Sequence, residues 1–154
     1  MLISQLLFGG FLIGLTVVVH AFALDFLFRT LVEDKDFTKM RHRHFKKVTL
    51  LTCAVLGVFC ANIIEMWIWV IAYMILHVPA VPTLESALYF SISSFTTLGM
   101  GDIVLGEQWR VLSAIEGANG MILFGWSTAF IFEVMAIFYG TRRQRITPKT
   151  RDEK

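Results

Sequence analysis

From Leu2 to Leu24 the sequence carries no formal charge, and His20 is the only strongly polar side chain in the run. A helix over those 23 residues rises about 34 Å, enough to cross a hydrocarbon core of roughly 30 Å. Two further apolar blocks, Val48 to Leu76 and Val111 to Tyr139, are at least as long. Composition agrees: 56% of the 154 residues are hydrophobic, 17% are charged, and mean hydropathy is +0.66. A soluble domain has about a quarter of its residues charged. The fold class expected is an all-α membrane protein with three transmembrane helices, and the bilayer is its first partner.

The first block lacks the marks of a signal peptide. Its opening five residues contain no basic residue, and it ends at Asp25 and Arg29 without a small-residue cleavage site. It is expected to be a retained span, with Gly9, Gly10 and Gly14 forming a face for close helix packing. In the second block, Asn62 and Glu65 share a face three residues apart. A carboxylate at that depth must face protein or water and have a partner. Trp67, Trp69 and Tyr73 suit a headgroup layer. Cys53 and Cys60, two helical turns apart, read as buried apolar residues without a disulfide. His20 and Asp25, five residues apart, make a poor metal site.

Basic residues set the orientation. Seven of the 14 Lys and Arg lie in 29–47 and six lie after 140, leaving Arg110 alone elsewhere. The positive-inside rule places both segments in the cytoplasm. The N-terminus is then outside and the C-terminus cytoplasmic. Such short basic flanks do not suit nucleic acid. Residues 29–47 can form either a surface helix, with Phe37, Met40, His44 and Val48 at helical spacing, or a solvated loop. His42 and His44 invite a proton-sensor or metal-ligand reading, because histidine as a residue type titrates near neutrality, but among four cations they suit a lipid headgroup surface.

Between the second and third blocks the chain cannot cross once more without breaking that parity. His77-Val78-Pro79-Ala80-Val81-Pro82 ends a helix, and Thr83 can cap a new one with Glu85 in its first turn. Counted from Thr83 to Thr96, that helix is 14 residues, about 21 Å, too short to span. A re-entrant helix is the expectation. Thr96-Thr97-Leu98-Gly99-Met100-Gly101-Asp102 follows, and two of its alternate positions are glycine. Non-helical backbone at membrane depth persists only inside protein or along a water-filled path. Its carbonyls could replace the hydration shell of a cation. One loop cannot surround an ion, so closure needs several copies related by rotation.

Residues 83–102 resemble the pore helix and selectivity filter of the potassium-channel superfamily. Thr96–Asp102 matches the usual T-T-V-G-Y-G-D at five of seven places. Ala87-Leu88-Tyr89-Phe90 stands where members often have A-L-W-W, and Gly120 and Gly125 stand where many place a hinge glycine and a second small residue. The likeness covers about 48–139, a two-span pore module to which an N-terminal span has been added. It implies a homotetramer with potassium ions (or sodium) in the filter, and it implies no partner protein and no cofactor; no nucleophile–base pair, metal-ligand cluster or phosphate loop stands out in the sequence, so an enzyme is not expected. Carbonyls of Thr97, Leu98, Gly99 and Met100 would hold the monovalent cation. Thr97 would add its hydroxyl, Gly99 and Gly101 would permit the backbone geometry, and Asp102 would support the outer end.

The resulting division is an N-terminal transmembrane helix (1–28), a basic cytoplasmic connector (29–47), a pore domain (48–139) and a basic cytoplasmic tail (140–154). The pore domain comprises outer helix 48–76, pore helix 83–96, filter 97–102 and inner helix 110–139. Its compact, single-pore-loop design suits the bacterial inner membrane. Met100 replaces the family's aromatic, and Tyr89 and Phe90 replace the two tryptophans. A weakly selective or non-selective cation channel is therefore a second reading. A non-conducting scaffold or accessory subunit with the channel fold is a third. Glu65, Glu116 and Asn119 are candidates for gating or for a buried polar network, paired with one another, with Asn62 or with a neighbouring chain; Asn119 could instead face the cavity.

Overall fold

The computed structural model describes residues 2–32 and 44–139. Its helices are α1 (Leu2–Val32), α2 (His44–Ile75), α3 (Leu84–Phe95) and α4 (Arg110–Tyr139), and no strand occurs among the described residues. Three of the helices, α1, α2 and α4, are long and apolar enough to cross a membrane. Helix runs beyond both ends of the expected connector, since α1 continues to Val32 and α2 starts at His44. The surface-helix reading of 33–43, His42 and the basic tail from 140 lie outside the described residues.

α1 buries one stripe at helical spacing: Gln5, Gly9, Leu12, Thr16, His20, Leu24 and Leu31. The stripe packs against both α2 and α4. Only one of the three expected glycines takes part. A Cβ on Gly9 would lie 2.8 Å from Ile115 of α4, whereas Gly10 and Gly14 face open space. The reason is angular: at about 100° per residue, positions 10 and 14 cannot share the stripe with 9. The close approach to α2 is supplied from the other side, where Gly57 receives Leu27 of α1.

Two aromatics expected in the headgroup layer are core residues. Trp69 and Tyr73 are fully buried, because α3 folds over their face of α2. Tyr73 meets Phe90 of α3 edge-on, with ring centroids 5.5 Å apart. Trp67 points elsewhere and is 37% exposed. Cys53 and Cys60, expected to be buried, are free and lie on the outer surface of the chain.

α2 ends at Ile75, and His77 takes a left-handed φ of +47° before the two prolines. Thr83 then caps α3. Its hydroxyl accepts from the Ser86 amide at 3.1 Å, and its own amide donates to the Ser86 hydroxyl at 3.1 Å. This reciprocal box satisfies two amides that a helix start leaves unpaired. α3 has 12 residues, about 18 Å of rise, and it packs between α2 and α4. Its C-terminal end reaches well along α4: Phe95 meets Phe124 edge-on at 5.5 Å and crosses at Gly120.

Candidate functional site

Beyond the Thr96 cap of α3, the backbone alternates in hand. Thr97, Gly99 and Gly101 have φ of +61°, +55° and +80°, with Leu98 and Met100 between them. Alternation of this kind brings successive amides to one side and leaves the carbonyls to the other. The amide side is tied to α3. Thr97 donates to the Ser94 carbonyl at 2.9 Å, Gly99 to the Ser93 carbonyl at 3.1 Å, and Met100 to the Ser93 hydroxyl at 3.1 Å. Among the described residues, no hydrogen bond is donated to a carbonyl of 97–101. Five oxygens in a row are thus left with coordinating capacity.

Leu98 and Met100 are 64% and 63% exposed, so their side chains have no cover within one chain. Behind the strip lies a cavity of about 200 Å³ lined by Ser93, Ser94, Gly99, Gly101, Arg110 and Ser113, among others. At the far end Tyr89 and Asp102 line the same open cavity.

α3 is anchored by a buried carboxylate. Glu116 of α4 accepts from the Tyr73 hydroxyl at 2.6 Å and from the Ser91 hydroxyl at 2.5 Å, and all three groups are fully buried. One side chain therefore ties α2, α3 and α4. Ser94 and Ser113 add a second link from α3 to α4 at 2.9 Å. Removing the phenol oxygen leaves a buried carboxylate oxygen without its donor, which costs about 1–3 kcal/mol. Tyr73→Phe should lower the unfolding midpoint in detergent accordingly, whereas Phe90→Leu should act through packing alone.

Glu65 and Glu116 do not form one cluster, and neither takes Asn62 or Asn119 as a partner. Glu65 binds His20 of α1 at 2.7 Å, with both side chains fully buried. Asn62 donates to the Val58 carbonyl at 3.0 Å and to Ser127 at 3.4 Å. Asn119 is buried against α1, where it donates to the Thr16 hydroxyl at 2.9 Å. His20 is the residue that sequence reasoning passed over. Asp25, weighed as its neighbour, pairs with Arg29 at 2.9 Å on the exposed side. The available signal was the helical spacing that puts Gln5, Thr16 and His20 on one stripe of an otherwise apolar helix.

α4 runs unbroken through Gly120 and Gly125. A Cβ on Gly120 would overlap the Phe95 carbonyl, while Gly125 has nothing within 4 Å. No group of three or more His, Cys, Asp or Glu suited to a metal occurs among the described residues.

A family model described as "Ion channel" matches residues 48–136. The match takes in α2, α3, the strip of free carbonyls and most of α4, and leaves α1 outside. No curated protein and no solved structure matches the chain.

Proposed function

This chain belongs to the ion-channel family, and on that premise we propose that it conducts potassium passively through a four-fold filter of backbone carbonyls. The observation that carries this reading is the strip Thr97–Gly101, in which the amides of Thr97, Gly99 and Met100 bind α3 and the carbonyls accept no hydrogen bond among the described residues. Four copies around an axis would surround a dehydrated cation with oxygens from Thr97, Leu98, Gly99 and Met100. Exposed Leu98, Met100, Tyr89 and Ile92 would then be covered by neighbouring copies.

In the membrane, α3 enters and returns on the outer face as a re-entrant helix. Its 12-residue length and its crossing of α4 at Gly120 support this. The N-terminus lies outside and the basic segments lie in the cytoplasm, as in a bacterial inner-membrane channel.

Met100 favours a second reading, weak selectivity among monovalent cations. It has no hydroxyl with which to brace the filter, and methionine is flexible. Purified protein in liposomes tests both readings. Potassium should leave down its gradient, and flux with sodium measures the preference. Met100→Tyr should raise that preference by roughly tenfold, equivalent to ~1.4 kcal/mol. Folded, reconstituted protein that passes neither ion would make the chain a non-conducting scaffold.

A further inference from the structure

We infer that α1 is a positioning element of the pore, with Thr16 and His20 biasing where the inner helix α4 rests. This depends on the chain being a channel, and it concerns a helix that the family match leaves out.

His20 uses both ring nitrogens. Nδ1 meets Glu65 of α2 at 2.7 Å, and Nε2 meets the Ser127 hydroxyl of α4 at 3.4 Å. Ser127 in turn accepts from Asn62 at 3.4 Å, one turn from Glu65 on α2. These bonds form a chain that begins and ends on α2 and links three helices. One turn earlier on α1, Thr16 accepts from Asn119 of α4 at 2.9 Å. The Trp126 ring covers the imidazole, with centroids 5.3 Å apart. α4 is thus gripped at two heights by polar groups from a helix outside the pore module.

A passive anchor does not need this chemistry. Apolar side chains at 20 and 65 would pack equally well without burying ionisable groups, which is costly in hydrocarbon. The network is also incompletely satisfied. Glu65 Oε2, Asn62 Oδ1 and Asn119 Oδ1 are buried without partners. A small shift of α4 can therefore exchange donors among these acceptors. Discrete alternatives of that kind are what a two-position helix requires.

Single-channel recording of the full chain in planar bilayers tests the inference. Thr16→Val and His20→Ala should each change open probability by at least about tenfold, the effect of a modest loss of coupling. Unitary conductance and reversal potential should stay as in the wild type, because the filter is untouched. The exchanged pair His20→Glu with Glu65→His should bring open probability back to within about threefold of wild type. Two results would overturn it: open probability within about twofold of wild type in both single variants, or both variants failing to assemble, which would make α1 a structural strut. A wild type that carries no current would instead count against the channel reading itself.

Discussion

Gly99→Ala and Gly101→Ala should each reduce cation flux from liposomes by at least about 100-fold while the protein stays folded. Both glycines sit in the left-handed region, at φ of +55° and +80°. A Cβ there costs roughly 1–2 kcal/mol per residue. Within its own chain a Cβ at Gly99 meets nothing within 4 Å, so the penalty there is conformational and not a clash. In a four-fold assembly it is paid in every copy, about 4–8 kcal/mol in sum. The cheapest relief is rotation of the adjoining peptide, which turns a carbonyl away from the path. Thallium flux from reconstituted vesicles, with size-exclusion profiles as the folding control, checks the expectation. Flux within threefold of wild type in both variants would mean that the strip does not line the path.

Gly120→Ala should have the second largest effect, and it should fall on stability. The new Cβ would overlap the Phe95 carbonyl, which is backbone and cannot swing aside. Accommodation means moving α3 off α4, and with it the start of the strip and the Ser94–Ser113 bond. Overpacking of this kind costs about 1–3 kcal/mol or more per copy. Gly125→Ala should be neutral or slightly stabilising, by up to about 1 kcal/mol, because Gly125 has open space and alanine favours helix. Thermal unfolding in detergent separates the two. If Gly120 served only as a hinge, alanine there would leave the unfolding midpoint unchanged and alter gating alone.

The helical layout was legible because it is written in local signals. Apolar length marks α1, α2 and α4, and Pro79 and Pro82 followed by Thr83 mark the break before α3. The end of α3 was marked in the same way, by alternate glycines in a gap between apolar runs. What resisted reading was the facing of each helix. Glu65 had to have a partner, but His20 lies 45 residues away in sequence. Choosing it required knowing which stripe of α1 turns inward. The same ignorance put Trp69 and Tyr73 in the headgroup layer, since nothing local reveals that α3 covers them. It also grouped Gly10 and Gly14 with Gly9, although only Gly9 touches α4. Glu116 was recognised as deep and polar, but its donors Tyr73 and Ser91 come from two other helices.

The most direct test is the structure of the assembled protein in a lipid environment with thallium in place of potassium. Anomalous scattering should mark a column of ions on a four-fold axis, level with the carbonyls of Thr97, Leu98, Gly99 and Met100. An axis filled by side chains, or carbonyls turned away from an axis that holds no thallium, would contradict conduction through this strip.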